Sequence, residues 1–185
     1  STLARRSLGI GFIGLAHYLA KNGEHYDDPK AHKLVYDLTE SFQYHLLKSS
    51  NQIAREKGPC EAFHRTKYCD GILPIDTYKK EVDEIVSPEL NYDWESLRAS
   101  INEYGLRHST LSAQMPSESS SVVSNATNGI EPPRAYLSIK KSKKGPLKQI
   151  VPSFTTLKNN YTLLWDMKSN EGYIKIVAIM QKFFE

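Results

Sequence analysis

Cysteine is nearly missing from this sequence, with only Cys60 and Cys69 in 185 residues. They are not spaced as CxxC, so neither a disulfide framework nor a redox motif organises the chain, and a reduced, cytoplasmic setting is expected. Long apolar runs are missing too. No stretch reaches the roughly 18 residues that a membrane helix needs, so no membrane role is expected. Charge of one sign is absent: 24 Lys and Arg stand against 21 Asp and Glu, a net +3. With a pI near 8.7 and mixed charges along the chain, the balance is too mild for a nucleic-acid partner. The six histidines form no HxxxH pair, no His/Cys/Asp cluster has metal spacing, and there is no GxSxG. These absences leave no metal site and no catalytic nucleophile to assign.

What is present fits a globular chain of single-domain length, with 39% hydrophobic and 24% charged residues. The start, "STLARRSLGIGFIGLAHYLA", sets Arg5 and Arg6 before an apolar run. It lacks an initiating Met and a small-residue cleavage site, and so reads as a buried helix over 3–22, closed by Gly23. A longer helix is expected over 29–57, from Leu34, Val35, Leu38, Phe42, Leu46 and Ile53 at three-to-four spacing, with Gly58 as the stop. A short helix is expected from about Pro74 to Val86, with Asp76 at its start. "NYDWESLRASINEYG" predicts a helix between Asp93 and Gly105. "LRHSTLSAQM" reads as a strand, and "AYLSIK" and "LKQIVPSF" as a hairpin around "KSKKGP". "FTTLKNNYTLLWDM" and "GYIKIVAIMQKFFE" complete the order as helices. The fold class is α/β, helix-rich, with too few strands for a closed sheet. Both ends look cut, as expected for a segment whose sheet is completed elsewhere.

Three local signals have plain readings. "GIGFIG", Gly9–Gly14, satisfies GxGxxG, but no strand precedes it, and the glycines read as permitting close helix packing. A dinucleotide-binding oxidoreductase would need residues 9–14 to form a strand-to-helix turn. "KKSKKG", Lys140–Gly145, reads as a solvated hairpin tip. "NAT", Asn125–Thr127, matches a glycosylation sequon without a secretory context.

"MPSESSSVVSNATNGIEPPR", Met115–Arg134, is the informative stretch. Pro116 ends the preceding strand, and a helix can begin within "PSESSS". Ser119, Ser120 and Ser121 bring hydroxyls and backbone N–H groups together. The first amides of a helix are unpaired and partly positive, which is the physics of an anion site. The same residues equally describe an ordinary Ser-capped helix start. Asn128–Gly129 marks a turn, and Pro132–Pro133 an extended exit.

That stretch resembles the large, catalytic subunit of class I ribonucleoside-diphosphate reductase, nearest the bacterial aerobic branch. "RRSLGIGFIGLAHYLAKNG", "GILPIDTYKKEVDEI", "YDWESLR", "GLRHSTLSAQMPSE" and "LLWDMKSNEGYIKIVAIMQKF" agree in the same order. The resemblance implies that residues 1–185 are one segment, the C-terminal part of a ten-stranded α/β barrel that carries the active site. It implies reduction of ribonucleoside diphosphates through a cysteine thiyl radical. The family's active-site cysteines and allosteric nucleotide sites lie upstream of this segment and its relay tyrosines downstream. No catalytic residue carries over, and Cys60 and Cys69 receive no role. The "PSE(T/S)S" segment does carry over as the substrate diphosphate loop, here Ser117, Glu118, Ser119 and Ser120 after Pro116. Ser119 stands where close relatives usually have Thr, and Glu118 is expected to contribute through its backbone. No cofactor is expected in the segment itself. The parent family depends on a metal-radical centre in its small subunit and on nucleotide effectors. It works with that subunit, a second large subunit, and thioredoxin or glutaredoxin. The alternative is a non-enzymatic helical interaction module in which the Ser-rich loop is structural.

Overall fold

The computed structural model describes residues 2–142 and 145–185. In chain order the elements are α1 (Thr2–Arg5), α2 (Leu15–Asn22), α3 (Pro29–Lys57), α4 (Trp94–Tyr104), α5 (Glu118–Val123), β1 (Leu137–Ser142), β2 (Gly145–Ile150), α6 (Phe154–Leu157) and α7 (Glu171–Gln181), with short 3-10 turns between them. The described residues divide into two compact units. One comprises residues 1–10, 33–113 and 177–185, and the other 11–32 and 114–176.

α3, which belongs to the first unit from Lys33 onward, follows from its sequence. Pro29 at the first helical position is pre-set for the helix, and Gly58, at φ +80, ends it. Its inner face buries Val35, Tyr36, Leu47 and Ala54. Tyr36 meets Phe183 edge to face at 5.0 Å, and Trp94 stacks on Phe183 at 6.3 Å. Two polar residues of α3 fix both ends of α4. Glu40, fully buried, accepts from the amides of Asn91 and Tyr92 and from the indole N–H of Trp94, at 2.7–3.2 Å. Asn51 donates to the carbonyls of Ser100 and Gly105 and accepts from the Ser100 hydroxyl. A buried carboxylate is tolerable only with such a set of donors. Asp93 caps α4 by accepting from the Ser96 amide at 2.9 Å, as its sequence predicts.

The expected helix over 3–22 is broken. Only residues 2–5 and 15–22 are helical. Residues 8–10 run extended and pair in parallel with 110–113, through Leu8 N–H to Thr110 C=O and Ile10 N–H to Leu111 C=O, both 2.9 Å. Gly9 and Gly11 cost a helix most, and the pairing gives their segment another use for its amides. The expected strand over "LRHSTLSAQM" pairs only in its middle, at Ser112 with Ile10. The expected helix over 74–86 is two 3-10 turns, Pro74–Asp76 and Lys80–Glu84. Here Asp76 spends its carboxylate on the Leu73 amide (2.7 Å) and on Arg98 (2.6 and 3.0 Å), which pins the turn to α4 instead of extending it.

In the second unit α2 buries Leu15, Ala16, Leu19 and Ala20, and Tyr26, Val151, Tyr161 and Ile176 are buried as well. Gly172 lies against residues 26 and 27, where an added Cβ would collide with Asp27 Oδ1 and with the Tyr26 carbonyl. The hairpin forms as expected, antiparallel, from Leu137↔Ile150 to Ser142↔Gly145. The centre of its lysine-rich tip, Lys143 and Lys144, lies outside the described residues. The expected helix over 154–167 is replaced by α6 and two 3-10 turns, because Tyr161 turns extended and donates its hydroxyl to Pro152 C=O at 2.7 Å. Burial raises that phenol to about 12. No helix among the described residues is long and apolar enough to cross a membrane.

Arg98 holds the Asp76 carboxyl below the ordinary 3.8, its bond outweighing partial burial. A depressed carboxyl stabilises the fold above its unfolded value, and loses that effect as pH falls through its folded value. Asp76→Asn is therefore expected to cost about 1 kcal/mol at pH 7. In urea titrations the gap between wild type and variant should be flat above about pH 5 and close below about pH 4. A gap that does not narrow as pH falls from about 5 to the lowest pH at which both proteins stay folded would exclude the ion pair as its source.

Candidate functional site

The route into Met115–Arg134 is set by one side chain. Gln114 Oε1 accepts from the Phe12 amide at 2.9 Å, and its Nε2 donates to the Phe12 carbonyl at 3.0 Å. The amide thus acts as one more rung of strand pairing, at the point where Pro116 prevents the backbone from continuing.

After Pro116 the chain turns into α5 at Ser117, whose φ and ψ are −125° and 36°. Ser117 does not cap the helix. Its hydroxyl donates back to Met115 C=O at 3.1 Å, while its carbonyl accepts from the Ser121 amide at 2.8 Å. Ser121 is buried, and its hydroxyl donates to Glu118 C=O at 2.9 Å. The expectation that Ser121 offers free donors is thereby corrected. Ser119 and Ser120 differ from both. They are exposed, they sit in the first turn, and helix geometry leaves their amides without intrahelical acceptors. Among the described residues their hydroxyls have no hydrogen-bond partner. Glu118 opens the helix with its side chain exposed. Of the four expected residues, the structure places Glu118, Ser119 and Ser120 on one exposed turn, with Ser117 buried beneath it.

The far end of the loop is equally fixed. α5 ends at Val123 with Ser124 as its C-cap, the next residue Asn125 adopts φ +49, and the Ala126 amide reaches back to Ser121 C=O at 2.8 Å. Asparagine tolerates this left-handed position better than most residues, and the geometry closes the last turn. The carbonyls of Thr127 and Gly129 then accept the amides of Gly14 and Leu15, at 3.0 and 3.2 Å. Gly14 itself stands at φ +80, where a side chain is strained. Tyr26 donates its hydroxyl to Ile130 C=O at 2.8 Å, and Gln149 Nε2 donates to Ala126 C=O at 3.0 Å. Burial, with Tyr173 and Glu131 nearby, pushes the Tyr26 phenol well above its ordinary value. A cavity of about 300 Å³ opens beside the loop, with Glu118, Thr127, Glu131 and Arg134 in its wall.

Residues 9–14 thus do lead from an extended segment into a helix, as a dinucleotide fingerprint requires. The amides of Gly14 and Leu15, at the start of α2, are however bonded to the loop's own carbonyls, so those two are not available to a pyrophosphate. Among the described residues no group of three or more His, Cys, Asp and Glu is arranged to hold a metal ion. Cys60 is buried and Cys69 exposed, both free. Gln114 lies in no motif, and the motifs that contain Gly14 and Asn125, the GxGxxG match and the NAT sequon, say nothing of this role. Only Asn128–Gly129 announced a turn from the sequence.

Comparison with known proteins places the chain in a family. The family described as "Ribonucleotide reductase, barrel domain" matches residues 1–181. The chain is 60% identical over 185 residues to the ribonucleoside-diphosphate reductase subunit alpha of Haemophilus influenzae. It is 57% identical over 183 residues to the ribonucleoside-diphosphate reductase 1 subunit alpha of Escherichia coli, and 45% identical over 181 residues to subunit alpha of Enterobacteria phage T4. These alignments cover 97–100% of the chain and 24% of each relative, so the chain spans about a quarter of their length.

Gln114→Ala is expected to lower stability by about 1–2 kcal/mol in urea denaturation, since it removes two part-buried hydrogen bonds. Gln114→Glu should fall between, because it keeps the acceptor for the Phe12 amide and loses the donor. Wild-type stability in the alanine variant would show that the Phe12 pairing does not hold the loop.

Proposed function

We propose that this chain, which belongs to the ribonucleotide reductase barrel-domain family, supplies the substrate diphosphate loop of a ribonucleoside-diphosphate reductase large subunit. The supporting observation is the first turn of α5, where two exposed serines present hydroxyls and amides that nothing else in the described residues uses. Hydrogen bonds from such groups to a charged phosphate are worth about 1.5–3 kcal/mol each, and a few of them suffice to hold a diphosphate without lysine. Ser119 and Ser120 bind through hydroxyl and amide. Glu118, exposed at the start of α5, contributes its backbone. Ser117 shapes the turn from beneath.

In this reading residues 1–185 are one segment of a ten-stranded α/β barrel, completed by the rest of a longer chain. The whole protein reduces ribonucleoside diphosphates to deoxyribonucleoside diphosphates for DNA synthesis, in the cytoplasm, with cysteines outside this segment. It works with a small radical-generating subunit that holds the metal centre, a second large subunit, nucleotide effectors, and thioredoxin or glutaredoxin as reductant. The segment by itself holds the phosphate and does not catalyse.

One observation favours the structural alternative in part. Ser117 and Ser121 close the loop with their own hydroxyls, as a purely structural turn would. Ser119 and Ser120 are therefore the residues to test. In the full-length subunit, Ser119→Ala with Ser120→Ala should raise KM for the diphosphate by about 10–100-fold if one or two charge-assisted bonds are lost. Unchanged kinetics would leave the loop structural. The isolated chain, supplied with a small subunit and a dithiol, should show no turnover, and measurable turnover would refute the division of labour.

A further inference from the structure

The first unit holds a cavity of about 570 Å³ that the diphosphate reading does not use. Its floor is apolar, with Leu73, Val82 and Phe184 all less than a tenth exposed. Its rim is cationic: Arg5, Arg65, Lys67 and Lys79 are all exposed. Among the described residues none of the four has a carboxylate partner. Arg65 touches only the His64 ring, at 3.3 Å.

The wall adds little negative charge. Its one carboxylate, Glu185, has its oxygens engaged by the Tyr68 hydroxyl and the amides of Leu111 and Ser112. Lys182, also in the wall, is offset by Asp83 at 2.8 Å. The Tyr78 ring carries two further ammonium groups against it, Lys80 at 3.9 Å and Lys182 at 4.4 Å. A chain with a net charge of only +3 thus gathers four unpaired cations around one apolar hollow. An organic anion seated there would be attracted by all four. The volume suits a body of one or two rings, and an apolar floor below a charged rim selects an amphipathic ligand over inorganic phosphate.

We infer that this cavity binds an aromatic phosphate or a similar organic dianion, ring down on Leu73, Val82 and Phe184, with its charge among Arg5, Arg65, Lys67 and Lys79. The site is separate from the α5 turn and stands or falls without it.

The test is calorimetric titration of the full-length protein with 1-naphthyl phosphate, with 1-naphthol and inorganic phosphate as controls. Saturable binding of the aromatic phosphate is expected, with both controls at least about tenfold weaker. Arg65→Glu with Lys67→Glu should weaken binding about tenfold or more, because two attractions become repulsions. Lys79→Glu alone should act in the same direction. All three are exposed positions, and circular dichroism checks that the variants fold. Ser119→Ala with Ser120→Ala should leave this binding unchanged. The inference is overturned if binding does not saturate, if naphthol binds as well, if the charge reversals have no effect, or if the serine variant abolishes it. In the last case the probe has gone to the α5 turn, which would favour the diphosphate reading while sinking this one.

Discussion

The carbonyls of Thr127 and Gly129 take the amides of Gly14 and Leu15, and much of the second unit follows from those two bonds. Backbone polar groups removed from water must find partners. A helix start and a Ser- and Asn-rich loop each arrive with unsatisfied groups of opposite kind, and here they satisfy one another. The loop is consequently held like a secondary-structure element although it is neither strand nor, beyond α5, helix. Gln114 fixes its entry, Tyr26 and Gln149 its exit, and the first turn of α5 stands between fixed points. The same pairing decides the fate of the glycine-rich "GIGFIG". It leads from an extended segment into a helix, but the amides of Ile10, Phe12 and Gly14 are already engaged.

Polar side chains do comparable work in the first unit. Glu40 and Asn51, both on α3, bond to the two ends of α4, and each meets a full set of partners. Removing one partner from such a set leaves the other buried and unsatisfied, a loss larger than the bond itself. The relative placement of α3 and α4 is therefore specified more sharply than apolar packing alone would require.

Elements with a strong local cause were legible in the sequence. α3 is bounded by Pro29 and Gly58 and has a steady apolar period, and its limits match. α4 was marked by Asp93 and Gly105. The hairpin was marked by alternation and a basic turn. What failed were segments decided by distant partners. Residues 6–14 have a helical apolar pattern, yet Leu8 and Ile10 pair with a segment about a hundred positions away. Asp76 looks like a helix start and serves instead as an anchor for Arg98. At the candidate site, composition brought out the serines, but it could not separate Ser119 and Ser120 from Ser117 and Ser121, whose hydroxyls fold back on the chain. Gln114 was invisible, since a lone glutamine announces nothing about the backbone it will pair with.

The hydroxyl of Ser117 has one more implication. It donates to Met115 C=O and accepts from no amide of the first turn, so α5 begins without a side-chain cap. A short helix that lacks its cap is easily frayed. An anion seated on the turn would supply the missing acceptor. By thermodynamic linkage it would then strengthen α5 by as much as a preformed α5 favours the anion. Occupancy of the turn and order of the helix would be two readings of a single equilibrium.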